Sequence, residues 1–103
     1  MNRESVLLVF FDLPVTEKLQ RKNAVKFRKN LIRQGFSALQ ESVYYKALNN
    51  ISNTNAEIND IKKNSPQDGS IFALSLSAGV FERMHTISGK SPDINFGNFI
   101  LEV

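Results

Sequence analysis

The sequence predicts an α+β domain: one sheet, with helices packed on it. Three observations predict this. Ser5–Asp12 (SVLLVFFD) is apolar at successive positions and rich in β-branched and aromatic residues, the pattern of a buried central strand. Thr16–Gln34 then places apolar residues at helical spacing, with its charge on the other side. Short β-prone segments follow, separated by turn residues and by one further helical stretch.

Each element has its own grounds. Along the first strand, Val6, Leu8, Phe10 and Asp12 form one face and Leu7, Val9 and Phe11 the other; both are apolar until the terminal carboxylate. Asp12-Leu13-Pro14 closes it. In the first helix Thr16 is the expected N-cap, with Glu17 in the first turn and Gly35 where a C-terminal glycine belongs. Ala24, Phe27 and Leu31 share its apolar face, with Leu19 at the edge. Phe36–Gln40 and Val43–Leu48 read as a hairpin turning at Glu41-Ser42. Asn49–Asn64 reads as a second helix with Ile51, Ile58 and Ile61 on one side. It ends before Ser65-Pro66. Asp68-Gly69 is a turn, and Ser70–Ser77 (SIFALSLS) is another strand. Phe81, Met84 and Ile87 recur at a helix-like period. Ser88–Asn98, with Gly89, Pro92 and Gly97, is a loop, and Phe99–Val103 is a terminal apolar strand.

The resulting order, β-α-β-β-α-β with an additional C-terminal strand, is the ferredoxin-like order. Its 103 residues fit one domain, so positions 1–103 are read as a single unit. In this order both helices cover one face of the sheet. The first strand is apolar on both, and no segment is left over for the second face. A second copy packed sheet to sheet about a two-fold axis is the simplest cover, with Phe99–Val103 placed to cross to the partner's sheet edge.

Composition excludes several classes. There is no cysteine, which removes disulfide scaffolds and thiolate-bound zinc. The single histidine, His85, removes multi-histidine metal sites within one chain and leaves no base for Ser42. The longest apolar run, Val6–Phe11, is too short for a bilayer, and the first residues lack the pattern of a signal peptide. A cytoplasmic protein with no membrane partner is expected. Charge is uneven. Thr16–Gln34 holds seven basic residues against Glu17 alone, a local charge of +6, which leaves −3 elsewhere.

Two constellations carry chemistry. Asp12 ends an apolar strand beside a proline turn. A lone aspartate there is ordinarily a turn residue. Across a two-fold axis, however, Asp12 and its copy would approach each other and would need a shared proton or cation. Mg²⁺ or Mn²⁺ takes about six oxygens and keeps several waters, so one carboxylate per chain suffices. Such an ion could activate water against a phosphodiester.

The second constellation is the helix face formed by Lys18, Lys22, Lys26, Lys29 and Arg33, with Arg21 and Arg28 flanking the apolar stripe. It runs roughly 22 Å at 1.5 Å per residue. An ordinary exposed helix interleaves Glu four residues from Lys, and this one does not. The expected ligand is a phosphate backbone, without sequence readout. Tyr44, Tyr45, Phe36 and Phe72 could stack bases as in RNA-binding sheets. The basic-Gly-aromatic strand motif is missing, so core positions are the expectation.

Three stretches resemble a known family. VFFDLP (Val9–Pro14), RKNAVKFRKNLIRQGF (Arg21–Phe36) and LQESVYYK (Leu39–Lys46) are similar to the small CRISPR-associated adaptation protein, second in that series, in its type II-like form. The resemblance continues more loosely through Ser70–Gly89 and the last strand. It implies a ferredoxin-like homodimer with Asp12 as a metal-binding aspartate. It further implies a place in spacer acquisition, where the dimer bridges CRISPR integrase subunits on double-stranded prespacer DNA and catalysis lies in the partner. Metal-dependent endonuclease activity on RNA or double-stranded DNA is the alternative that it implies.

Overall fold

The computed structural model describes residues 4–49 and 53–94. Seven elements follow in order: β1 (Ser5–Asp12), α1 (Lys18–Arg33), β2 (Ser37–Gln40), β3 (Val43–Leu48), α2 (Asn53–Lys63), β4 (Ser70–Ser77) and α3 (Ala78–Glu82). The four strands form one antiparallel sheet in the order β2-β3-β1-β4. This is the ferredoxin-like arrangement, with β1 central as its apolar run requires. The terminal strand expected at Phe99–Val103 lies outside the described residues, as does Ile51 of the second helical stretch.

β1 sorts its side chains by parity. Leu7, Val9 and Phe11 enter a core with Phe27 and Leu31 of α1, Phe36, Tyr44 and Leu48, and Ile61 of α2. Phe11 meets the edge of the Phe27 ring at 5.0 Å and stacks on Tyr44 at 5.8 Å. Leu19, read at the edge of the apolar stripe, is instead 65% exposed.

The ends of α1 are set locally. Glu17, not Thr16, is the N-cap residue. Gln20 Oε1 accepts from the Glu17 N–H at 3.0 Å and from the Thr16 hydroxyl at 2.9 Å, which shifts the start by one residue. At the other end Gly35 takes φ +104°. The Gly35 and Phe36 N–H groups donate back to Ile32 and Leu31, a double-bonded glycine stop. Lys46 Nζ, on β3, donates to the Gln34 carbonyl and to Glu57 Oε2 of α2, both at 2.6 Å, and locks three elements together.

The opposite face of the sheet is not left bare, which corrects the expectation that no segment remained to cover it. Of the residues in the Phe81, Met84, Ile87 period only Phe81 falls in a helix, since α3 ends at Glu82 and the other two are exposed beyond it. Ser77 Oγ accepts from the Val80 N–H, and α3 folds back so that Phe81 packs on Val6 and Tyr45. Leu8, Leu39, Leu76 and Ile94 join this second cluster. The Tyr45 hydroxyl donates to the Asp93 carbonyl at 2.8 Å and ties the following segment across the sheet. Among the described residues the cover is partial: Phe10, Phe72 and Leu74 remain exposed at 36%, 60% and 47%.

Candidate functional site

Asp12 stands at the end of β1 on that partly open face, because it shares parity with Val6, Leu8 and Phe10. Its cross-strand neighbour on β4 is Ser70, and Phe10 lies opposite Phe72 two positions back. The two phenyl rings sit 6.0 Å apart. Together with Ser42 and Val43 these residues line an open depression of about 340 Å³. The carboxylate is exposed, and no ion pair engages it among the described residues.

The backbone under Asp12 is held by Gly69. This glycine has φ +90°, and a Cβ placed on it would stand 2.5 Å from the Asp12 carbonyl oxygen and 3.0 Å from Leu13 and Pro14. Only glycine allows the turn before β4 to close so tightly on the end of β1. The Asp68-Gly69 pair is legible as a turn. Its contact with Asp12 follows from the β1–β4 register, which the sequence does not display.

Asp12 alone makes a thin metal site. Among the described residues there is no group of three His, Cys, Asp or Glu that could hold an ion. The depression around Asp12 offers one carboxylate and two serine hydroxyls. A hard divalent cation fits such a set only if a second oxygen-rich wall completes it, as a symmetry copy of Asp12 would.

The basic residues are elsewhere. α1 covers the Leu7, Val9, Phe11 face, so its outward side looks away from the open face that carries Asp12. Lys18, Lys22, Lys26, Lys29 and Arg33 are all exposed along it, while Arg28 is half-buried. Arg21 is occupied: its Nη1 donates to the Val15 and Thr16 carbonyls and closes the turn into the helix. Arg33 Nη1 donates to Asn30 Oδ1. The four lysines enter no ion pair among the described residues. The structure therefore assembles a lysine strip on one side of the sheet and the Asp12 depression on the other, as two separate features.

The remaining candidates resolve simply. Tyr44, Tyr45 and Phe36 are buried, as expected of core residues, and Phe72 is the exposed one of the four. His85 is on the surface beside Thr86 and Lys90, away from Asp12. Among the described residues no helix is long and apolar enough to cross a membrane.

Comparison with known proteins identifies the family. Residues 5–84, from the start of β1 to just past α3, match the family described as CRISPR associated protein Cas2. The chain is 39% identical over 85 residues to a CRISPR-associated endoribonuclease Cas2 from Treponema denticola, covering 82% of this chain and 84% of that one. It is 38% identical over 84 residues to the protein of that name from Streptococcus mutans, covering 82% of this chain and 77% of the other. For its counterpart in Flavobacterium psychrophilum the identity is 35% over 86 residues, covering 84% and 75%. With its ferredoxin-like sheet and an aspartate closing the first strand, the chain belongs to the CRISPR-associated Cas2 family.

Proposed function

We propose that this protein is a spacer-acquisition subunit that binds the backbone of double-stranded DNA as a homodimer and bridges CRISPR integrase subunits. The observation that carries the DNA reading is the outward side of α1, where Lys18, Lys22, Lys26 and Lys29 are exposed without a carboxylate partner among the described residues. Unpaired ammonium groups in a row gain by releasing the counterions condensed on phosphates. Lysines present point charges, so they address the backbone and not base edges. The second copy is supported by Phe10, Phe72 and Leu74, an exposed apolar group on the face away from α1. A dimer joined through that face turns its two lysine strips outward, free to meet a long duplex and its protein partners.

Binding of labelled random-sequence duplex across a salt series tests this. With four lysines per chain, a dimer engaging most of them gives a log–log slope of about −4 to −7, from −0.9 per phosphate. The Lys22→Glu, Lys26→Glu double variant loses duplex binding and keeps its fold, since both side chains are exposed. Salt-independent binding, or full affinity in the double variant, would make the strip an ordinary solvated face.

A second reading is a Mg²⁺- or Mn²⁺-dependent endonuclease, acting on RNA as the relatives' names state for those proteins. Asp12 favours it: an exposed carboxylate beside two serines on the same open face as the apolar group. There Asp12 and its copy would hold the ion, which would supply a water acidified enough to attack phosphorus. Asp12→Ala separates the readings. An enzyme loses cleavage, while an architectural subunit keeps spacer integration.

A further inference from the structure

We propose that the groove between α1 and α2 is a phosphate seat that extends the duplex-binding surface from α1 onto α2. This rests on the duplex reading above and assigns a second element to it. The groove holds about 200 Å³ and is lined by Asn23, Lys26 and Asn30 of α1 and by Lys63, Asn64 and Ser65 at the end of α2. No carboxylate lines it. Two ammonium groups on different helices flank one open polar cleft, so an anion lying in it meets positive charge from both walls.

The neutral side chains complete the case. Arg33 donates to Asn30 Oδ1, which leaves the Asn30 amide N–H groups to donate. The end of α2 would ordinarily repel an anion through its unpaired carbonyls. Here Asn64 Nδ2 caps the Asp60 carbonyl at 2.9 Å and Ser65 Oγ caps that of Ile61 at 2.6 Å. Neither acid of α2 lines the groove: Glu57 is engaged by Lys46, and the Asp60 side chain is exposed outside the lining. Lys26 belongs to both features. It lies on the α1 strip and lines the groove, so a backbone followed along α1 passes into the cleft at that residue. Every lining residue except Pro66 carries a polar side chain, which suits a phosphodiester.

The experiment uses the full chain and a fluorescein-labelled duplex of random sequence across a salt series. Lys63→Gln makes the log–log slope shallower by about 0.9, and weakens binding about eightfold near 0.1 M salt, for each groove phosphate lost. Lys62→Gln removes an equal charge from the same turn of α2 but does not line the groove, and leaves the slope close to that of the unaltered chain. Melting curves of both variants match the original, because both lysines are exposed. An unchanged slope in Lys63→Gln, or an equal change in Lys62→Gln, overturns the seat. If Lys22→Glu, Lys26→Glu abolishes binding in that same result, the α1 reading stands without it. Failure of the unaltered chain to bind duplex overturns both.

Discussion

The two faces of the sheet are built from the same strands yet differ in how they are closed. On the α1–α2 face, Leu7, Val9, Phe27 and Leu31 are at most 1% exposed. On the other, Val6 is fully buried under Phe81, while Phe72, near the Asp12 end of the β1–β4 pair, stands 60% exposed. Apolar alternation alone does not explain the contrast, since β1 is apolar on both sides. What differs is the length of the covering element. Two helices of 16 and 11 residues span the first face, whereas α3 has five and reaches only one end of the second. A surface left apolar by so short a cover invites a further partner at that end, where Asp12 also lies.

The largest effect is expected on the closed face. Phe27→Ala removes a ring that packs edge-on against Phe11 with nothing free to fill the void. Its cost should be about 3–5 kcal/mol, read as a denaturant midpoint lowered relative to the unaltered chain at the same protein concentration. A cost under about 1 kcal/mol would mean that α1 can collapse onto β1, and that this face is less tightly closed than its burial implies.

Next comes the turn that supports Asp12. Gly69→Ala forces a residue with a Cβ to hold φ +90° and to press on the Asp12 carbonyl at 2.5 Å. The obstacle is backbone, so it cannot swing aside. A loss of about 1–3 kcal/mol is expected, within the range for strained backbone positions. Hydrogen exchange should rise selectively at the Asp12 end of the β1–β4 pair. Uniform weakening across the domain, without that local signature, would contradict the claim that Gly69 sets the position of Asp12.

Much of this architecture is legible because it is local. β1 and β4 begin and end where a continuous run meets Asp-Leu-Pro or Asp-Gly, and the β2–β3 hairpin turns where its polar pair stands. The α1 boundaries differ by only a residue or two, because Gln20 recruits Glu17 ahead of Thr16. What escapes the sequence depends on distant pairs. Five residues are too few for periodicity to show that Phe81 folds onto Tyr45. The Gly69 contact needs the strand register. The Lys26–Lys63 groove unites two helices that the sequence presents as unrelated charges. Asp12 stands out as a strand-ending carboxylate, but its separation from the lysines by the sheet requires the fold.

The cover over the second face has a pH signature. Burial pushes the Tyr45 phenol above its ordinary value of 10.0, and the negative charge of Asp93 adds to the rise. The folded state therefore holds the phenolic proton more tightly than the unfolded chain does. Its contribution is fully present below pH 10 and is lost as pH climbs through the raised value. Tyr45→Phe deletes the bond to the Asp93 carbonyl and should cost about 0.5–1.5 kcal/mol at neutral pH. It should also flatten the alkaline fall in melting temperature. An equally steep fall in the variant would place the alkaline transition in another group.

The smallest effect on stability, and the most informative for the comparison, is expected at Phe72. The side chain is 60% exposed and its main apolar neighbour is the Phe10 ring at 6.0 Å. Replacing it with glutamate removes little buried surface, so the cost to the folded single chain should be about 0.5 kcal/mol, the low end for an aromatic pair. If a second copy covers this end of the sheet, the same change places two carboxylates beside the two Asp12 side chains within an apolar contact. Like charges that close repel, and the copies should separate. Sedimentation across a range of concentrations should then show the unaltered chain as a dimer and Phe72→Glu as a monomer, with melting curves that coincide only at dilutions where the unaltered chain has also dissociated. Loss of stability comparable to that of Phe27→Ala would show that the single chain already closes both faces. A variant that stays dimeric would move the contact to another surface and separate the two copies of Asp12.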